Sequence, residues 1–315
     1  MLTTGEKHLY DRFADAGWLM MGHKYRYRRQ KPDHQACGDD RRLIPFLGNT
    51  GRWRGMILSV CIDLVFRGSG YDIDAMLGTV RDTGYRAFEF WNWTNRDIDA
   101  LERSARRHRL EIGSFCTKMI TLLDPAYREA YARGLRESIE IAKRLGCRYL
   151  ITQTGNERRD VPRELQSASL VDGLKMCAPM LEREGITLLV EPLNLKVDHP
   201  GYFLSAAAEA FELIGRVGSP NVKVLYDIYH QQITEGDLTP TIKANLAQIG
   251  YFHAADHPGR GEPGSGEIHY PFVFDTIKRS GFRGYVGLEF APTGDPAEAL
   301  RRVREQYADG TEPVA

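Results

Sequence analysis

Leu188-Leu189-Val190-Glu191-Pro192 is a short apolar run that ends on a carboxylate and is stopped by a proline. Three later stretches have the same form: Val224-Leu225-Tyr226-Asp227, Ile249-Gly250-Tyr251-Phe252-His253 and Tyr285-Val286-Gly287-Leu288-Glu289. Runs of this length, apolar throughout rather than alternating, suit strands buried on both faces of a parallel sheet. Each run carries its acid or imidazole at the C-terminal end, and the four polar positions are 36, 26 and 36 residues apart, close to one strand–helix unit. In a closed barrel of parallel strands those ends share one rim, where ligands bind.

Working outward, apolar runs alternate with amphipathic stretches from about residue 56 onward. The pattern predicts strands over 56–62, 86–90, 111–116, 147–152, 186–191, 221–226, 249–255 and 284–290. Helices are predicted over 72–84, 95–109, 125–145, 163–184, 205–216, 238–248, 270–280 and 295–307. Eight strands each followed by a helix is the count of an α/β, (β/α)8 TIM barrel occupying residues 56–315. Leu135, Ile139, Ala142 and Leu145 recur at helical spacing, as one face packed on a barrel requires. Gly84, Gly146, Gly185, Gly218 and Gly281 follow helical stretches, where a left-handed cap favours glycine. A doubly wound sheet fits less well, because Gly68-Ser69-Gly70 after the first strand lacks the third glycine of a phosphate-binding turn.

Composition narrows the class. The chain has 315 residues, 42% of them hydrophobic, with 42 Lys+Arg balanced by 42 Asp+Glu. A large core is affordable, and zero formal charge gives no whole-protein argument for binding nucleic acid or a membrane. Five scattered cysteines (Cys37, Cys61, Cys116, Cys147, Cys177) form no Cys-x-x-Cys pair, so neither a disulfide framework nor a thiolate zinc site is expected. No apolar signal core opens the chain, and cytoplasmic localisation is the expectation. Residues 1–55 stand outside the rhythm as an N-terminal extension, irregular or peripheral, with eleven Lys/Arg against six Asp/Glu. Their basic, tyrosine-bearing cluster Tyr25–Arg29 is assigned no function.

Taken singly, a carboxylate at a strand end is often a helix cap and a histidine there a structural residue. Together, Glu191, Asp227, His253 and Glu289 would crowd three carboxylates at one barrel mouth, which is unfavourable unless a cation joins them. Oxygen-rich ligation with one imidazole suits Mn2+ or Mg2+, with Co2+ or Zn2+ as substitutes. Such a site fits the movement of a carbonyl along an α-hydroxy carbonyl compound. A proton leaves one carbon and returns to its neighbour through a cis-enediolate whose two oxygens can chelate one divalent ion. Two carboxylates on opposite sides of that intermediate could act as base and acid.

Three longer stretches carry a resemblance. Val190-Glu191-Pro192-Leu193-Asn194, Tyr226-Asp227-Ile228-Tyr229-His230 and the run from Ala255 through Asp256-His257-Pro258-Gly259-Arg260-Gly261-Glu262 to Ile268 resemble the hydroxypyruvate isomerase family. That family lies among the xylose-isomerase-like TIM barrels, with ketose 3-epimerases and two-keto-tetronate isomerases. The resemblance covers about residues 56–305. It implies that Glu191 and Glu289 bind metal and exchange the substrate proton, that Asp227 binds metal, and that His230 contacts a substrate oxygen. His253 stands where these isomerases often carry glutamine and the epimerase branch carries histidine. Arg260 resembles a substrate-side arginine, at a different offset from His253 than in the epimerases. It would suit a substrate carboxylate.

Further candidates lie on other strand ends. Glu89 is expected to bind substrate hydroxyls or hold a loop, Lys118 to reach a substrate oxygen or stand solvated on its loop, and Trp91 and Trp93 to wall the site or pack in the core. His199, His257 and His269 read as loop or capping residues, and the glycine- and proline-rich loop 256–267 as a lid. The expected partner is a small keto acid or sugar, with no nucleic acid or membrane, and the resemblance allows a homo-oligomer. The competing readings are a ketose 3-epimerase, a same-fold lyase or dehydratase, a DNA-cleaving barrel with a multinuclear metal site, and a barrel that only binds.

Overall fold

The computed structural model describes residues 55–307. The expected N-terminal extension therefore lies, apart from Gly55, outside the described residues. Eight strands run in chain order around a closed, all-parallel barrel: β1 (Ile57–Cys61), β2 (Ala87–Phe90), β3 (Glu111–Cys116), β4 (Tyr149–Thr152), β5 (Thr187–Val190), β6 (Val222–Asp227), β7 (Ile249–Ala254) and β8 (Tyr285–Leu288). Strand β8 pairs back onto β1, from Ile57 opposite Tyr285 to Val60 opposite Leu288. The predicted strands are all present, most of them trimmed by a residue or two; β3 keeps its expected bounds and β6 runs on to Asp227.

The outer ring holds α1 (Ile62–Val65), α2 (Ile73–Asp82), α3 (Ile98–His108), α4 (Arg128–Leu145), α5 (Arg163–Glu184), α6 (Ala207–Val217), α7 (Ile228–Thr234), α8 (Leu238–Asn245), α9 (Tyr270–Arg279) and α10 (Pro296–Tyr307). Local chemistry sets their limits. Asp72 and Asp97 cap α2 and α3 by accepting from the backbone N–H three residues on. Gly146 and Gly185 end α4 and α5 in the left-handed region, at φ 68° and 66°. Along α4 the buried side chains include Leu135, Ile139 and Ala142, the face expected from their spacing. Helices α1 and α7 were not anticipated. Both are too short to show a hydrophobic period, and α7 begins at the residue after β6 with no loop to announce it.

Because helices cover the outside and side chains fill the inside, each strand is buried on both faces. One apolar cluster lies between the strands and the helices. A second lines the barrel interior and includes Ile57, Cys116, Ile151, Leu189, Leu225, Tyr251 and Tyr285. At the N-terminal end of the barrel, the rings of Tyr149, Tyr251 and Tyr285 touch one another with centroids 5.7–5.9 Å apart. Tyr285 donates its hydroxyl proton to Glu111 across the barrel at 3.1 Å. The four described cysteines are buried and unpaired. Among the described residues no helix is long and apolar enough to cross a membrane.

Candidate metal and catalytic site

Strand register delivers the four polar ends to one place. Asp227 on β6 sits opposite His253 on β7, and His253 sits opposite Gly287 on β8. Glu191 and Glu289 are the residues directly after β5 and β8. Each of the four side chains offers one ligand atom, and these atoms all lie within 4.8 Å of one another. His253 Nδ1 is 3.2 Å from Glu191 Oε1, 3.2 Å from Glu289 Oε2 and 3.9 Å from Asp227 Oδ2. All four residues are buried, none more than 6% exposed.

Burial of this much charge has an electrostatic cost of several kcal/mol per ion unless it is offset. Its effect is visible in the proton affinities. Burial raises the Asp227 carboxyl from 3.8 to about 7, against the opposing pull of Arg260 and His253. Glu191 is raised as well, again chiefly by burial. Burial would also raise Glu289, but Arg260, then His253 and Trp91, outweigh it and hold that carboxyl below the usual range. For His253, burial favours the neutral ring, yet Glu89 and Glu289 overcome it and push its pKa up. Glu191 Oε1 and both ring nitrogens of His253 are buried with no hydrogen-bond partner. Buried polar atoms left in this state are rare. Three carboxylates and an imidazole with unspent lone pairs converging on one point fit a divalent cation, so the cluster can hold a metal ion.

Around the cluster the candidate substrate residues fall into two groups. His230 and Arg260 stand at its edge. Asp227 caps α7 by accepting the His230 backbone N–H at 3.1 Å, so one carboxylate both faces the cluster and anchors the helix that carries the histidine. The Asn194 backbone N–H donates to His230 Nδ1 at 3.2 Å. Burial, then Arg260, hold the ring well below its ordinary pKa. A neutral ring accepting at Nδ1 carries its proton on Nε2, which lies buried and unpartnered 3.6 Å from Asp227 Oδ2. Arg260, at φ 56°, pairs through Nη2 with Glu289 and stands 3.7 Å from Asp227, with its guanidinium 5.1 Å from the centre of the Tyr229 ring.

Glu89 stands behind His253, with Oε1 3.0 Å from its Nε2, and Lys118 is engaged by a neighbouring helix. Glu89 is buried inside the barrel, where Tyr251 donates its hydroxyl proton to Oε2 at 2.5 Å and Ser114 donates at 3.4 Å. The amine of Lys118 pairs with Glu137 and lies 5.5 Å from the Trp93 ring centre. The sequence reading missed Asp198 altogether and missed the polar role of Trp91. Asp198 accepts from Asn194 Nδ2 at 2.6 Å while its other oxygen is buried without a partner. Trp91 was read as a wall of the site or as core packing, whereas its indole N–H donates to Glu289 Oε1 at 2.5 Å. No apolar run ends on Asp198, and an indole gives no polar signal in a pattern reading.

Comparison with known proteins places this arrangement. A family model described as xylose isomerase-like TIM barrel matches residues 77–306. The hydroxypyruvate isomerase of Escherichia coli (strain K12) is 35% identical over 240 residues, spanning 73% of this chain and 92% of that protein. The chain belongs to the hydroxypyruvate isomerase family of xylose isomerase-like TIM barrels. Within that family's reach, a 2-oxo-tetronate isomerase of Cupriavidus necator is 34% identical over 174 residues, covering 55% of this chain and 66% of that protein. A solved structure from Brucella melitensis, titled AP endonuclease, family 2, superposes with a TM-score of 0.76 at 27% identity. That match covers 81% of this chain and all of the other.

Proposed function

We propose that this protein is an isomerase that interconverts a small α-hydroxy carbonyl acid of the hydroxypyruvate and tartronate semialdehyde type through a cis-enediolate. One observation carries the reading: two buried glutamates, Glu191 and Glu289, each stand 3.2 Å from the same nitrogen of His253. Their environments push their proton affinities apart, Glu191 upward through burial and Glu289 downward through Arg260 and His253, the pattern of an acid–base pair. The names of the relatives, hydroxypyruvate isomerase and 2-oxo-tetronate isomerase, support a keto-acid substrate.

In the forward direction one glutamate takes a proton from the hydroxymethyl carbon next to the carbonyl. The electron pair moves to form the enediolate, and a proton returns to the former carbonyl carbon. The hydroxyl proton passes from one oxygen to the other, so the formula is unchanged. Glu191, Asp227, His253 and Glu289 would hold the divalent ion, Mn2+ or Mg2+ by the chemistry of the donor set. Bound there, the ion would polarise the carbonyl and offset the negative charge that develops on the oxygens. His230 donates from Nε2 to a substrate oxygen, and Arg260 orients the substrate, a carboxylate being its natural partner.

The test is to incubate manganese-loaded protein with hydroxypyruvate, 2-oxo-tetronates and a panel of free ketoses, following products by NMR in deuterium oxide. Isomerised keto acid carrying solvent deuterium at the reacting carbon is expected. Turnover confined to the ketoses would replace this reading with the 3-epimerase one, which the imidazole at position 253 favours. Hydrolysis of abasic DNA in place of either would move it to the endonuclease reading. A DNA-cleaving site would call for several metal ions, whereas the four ligand atoms here converge on one point.

A further inference from the structure

Strand β2 contributes no ligand to the cluster, yet Glu89 on it and Trp91, the residue directly after it, reach two of the four ligands. The two positions are two residues apart, and each side chain contacts one of the ligands. The Trp91 indole N–H donates to Glu289 Oε1 at 2.5 Å, while Arg260 pairs with the other oxygen of the same carboxylate. Glu89 Oε1 lies 3.0 Å from His253 Nε2, on the face of the imidazole away from the other three ligands, in ionic contact off the line of the N–H bond. Glu89 is itself held by Tyr251 and Ser114. The Trp91 backbone N–H donates to Asp63 Oδ2 at 2.6 Å, and Asp63 also pairs with Arg96.

The space for this contact is kept open by a third residue. A β-carbon on Gly287 would come within 2.6 Å of both Glu89 Oε2 and His253 Cδ2. Glycine at the position facing His253 across the β7–β8 ladder is what lets carboxylate and imidazole meet. Ligands to metals are commonly fixed in this way by groups that do not themselves touch the ion. Loss of such a partner typically weakens metal binding by about 10- to 100-fold.

We infer that Glu89 and Trp91 are positioning residues for the metal site: Glu89 holds His253 from behind so that Nδ1 is the nitrogen presented, and Trp91 fixes the rotamer of Glu289. This assigns Glu89 a role different from binding substrate hydroxyls, and it gives strand β2 a task in a site otherwise built from β5 to β8. The inference rests on reading the four residues as a metal site.

The experiment is calorimetric titration of the full chain with Mn2+ and no substrate, alongside electron paramagnetic resonance of the bound ion and thermal melting of the metal-free proteins. The variants are Glu89→Gln and Trp91→Phe, with Trp93→Phe as a control, since Trp93 donates to Ser138 rather than to a ligand. About 10- to 100-fold weaker Mn2+ binding and an altered resonance line shape are expected in the first two variants, at a temperature where each remains folded. The control should match wild type. Wild-type affinity and line shape in both Glu89→Gln and Trp91→Phe would overturn the inference. Equal weakening in Trp93→Phe would overturn it too, by showing that general loosening of the barrel suffices. Wild-type protein that takes up no Mn2+, Mg2+, Co2+ or Zn2+ would instead remove the metal-site reading on which the inference stands.

Discussion

The two halves of this barrel are built alike and charged differently. Strands β5 to β8 each end on a ligand-type side chain, whereas β1 to β4 bring none to the cluster and supply Glu89, Trp91 and the hydroxyl of Ser114 around it. Both halves have continuous apolar strands, because both are covered by helices outside and packed inside. The difference lies at the rim and just below it, where one half presents lone pairs and the other restrains the groups that carry them. A barrel can thus separate the parts that react from the parts that aim them, although every strand has the same backbone.

The sharpest way to break this division is to remove the proton-transfer groups. Glu191→Gln and Glu289→Gln should each lower kcat by about 10²- to 10⁴-fold, the usual worth of a positioned acid or base. Solvent deuterium exchange at the substrate carbon should fall with it. Undiminished exchange in both variants would take the β5–β8 half out of the chemistry.

Next in size is Gly287→Ala. Its methyl would press on Glu89 and His253 from β8, and overpacking of this kind costs about 1–3 kcal/mol. A lowered melting temperature together with weakened Mn2+ binding is expected. A variant that melts like wild type would show that the two halves are less tightly coupled than their contacts indicate.

A third test uses pH. Asp227 at about 7, the raised Glu191 and the raised His253 must all release protons before they can donate to a cation. Mn2+ affinity should therefore fall as pH falls below 7, approaching about tenfold per unit for each proton displaced. Proton release should be measurable by calorimetry in buffers of different ionisation enthalpy. The sign for the metal-free fold is opposite. Between about pH 4 and 7 folded Asp227 keeps a proton that the unfolded chain has lost, so metal-free stability should decline as pH rises across that window. Mn2+ binding that is flat from pH 6 to 8 would show that these groups are not the ligands.

The smallest effect expected is that of Lys118→Ala, on the β1–β4 side. Its amine is taken by Glu137, and a pair this open to solvent is worth about 0–1 kcal/mol. A rise in KM beyond about fivefold would show that Lys118 reaches the substrate instead.

What the sequence made legible follows from the same division. A strand buried on both faces leaves an unbroken apolar run, and a polar residue that closes it stands out. The eight strands and the ends at Glu191, Asp227, His253 and Glu289 could therefore be read directly. The supporting contacts could not. Trp91 and Glu289 are 198 residues apart, and Tyr251 and Glu89 162. Nothing in a local pattern links such pairs, since the barrel's closure alone brings them together. Asp227 hid a second role for a related reason. Its carboxylate also caps α7, but a helix of seven residues shows too little period to announce that it needs a cap.

The three tyrosine rings packed at the N-terminal end of the barrel have a bearing on traffic. They pack the barrel interior at the end away from the four ligands, so among the described residues the rim beside Arg260 is the side that faces an arriving ion or small acid. If ion and substrate both arrive on that side, a change at the rim should alter the rate of metal exchange and the rate of turnover together.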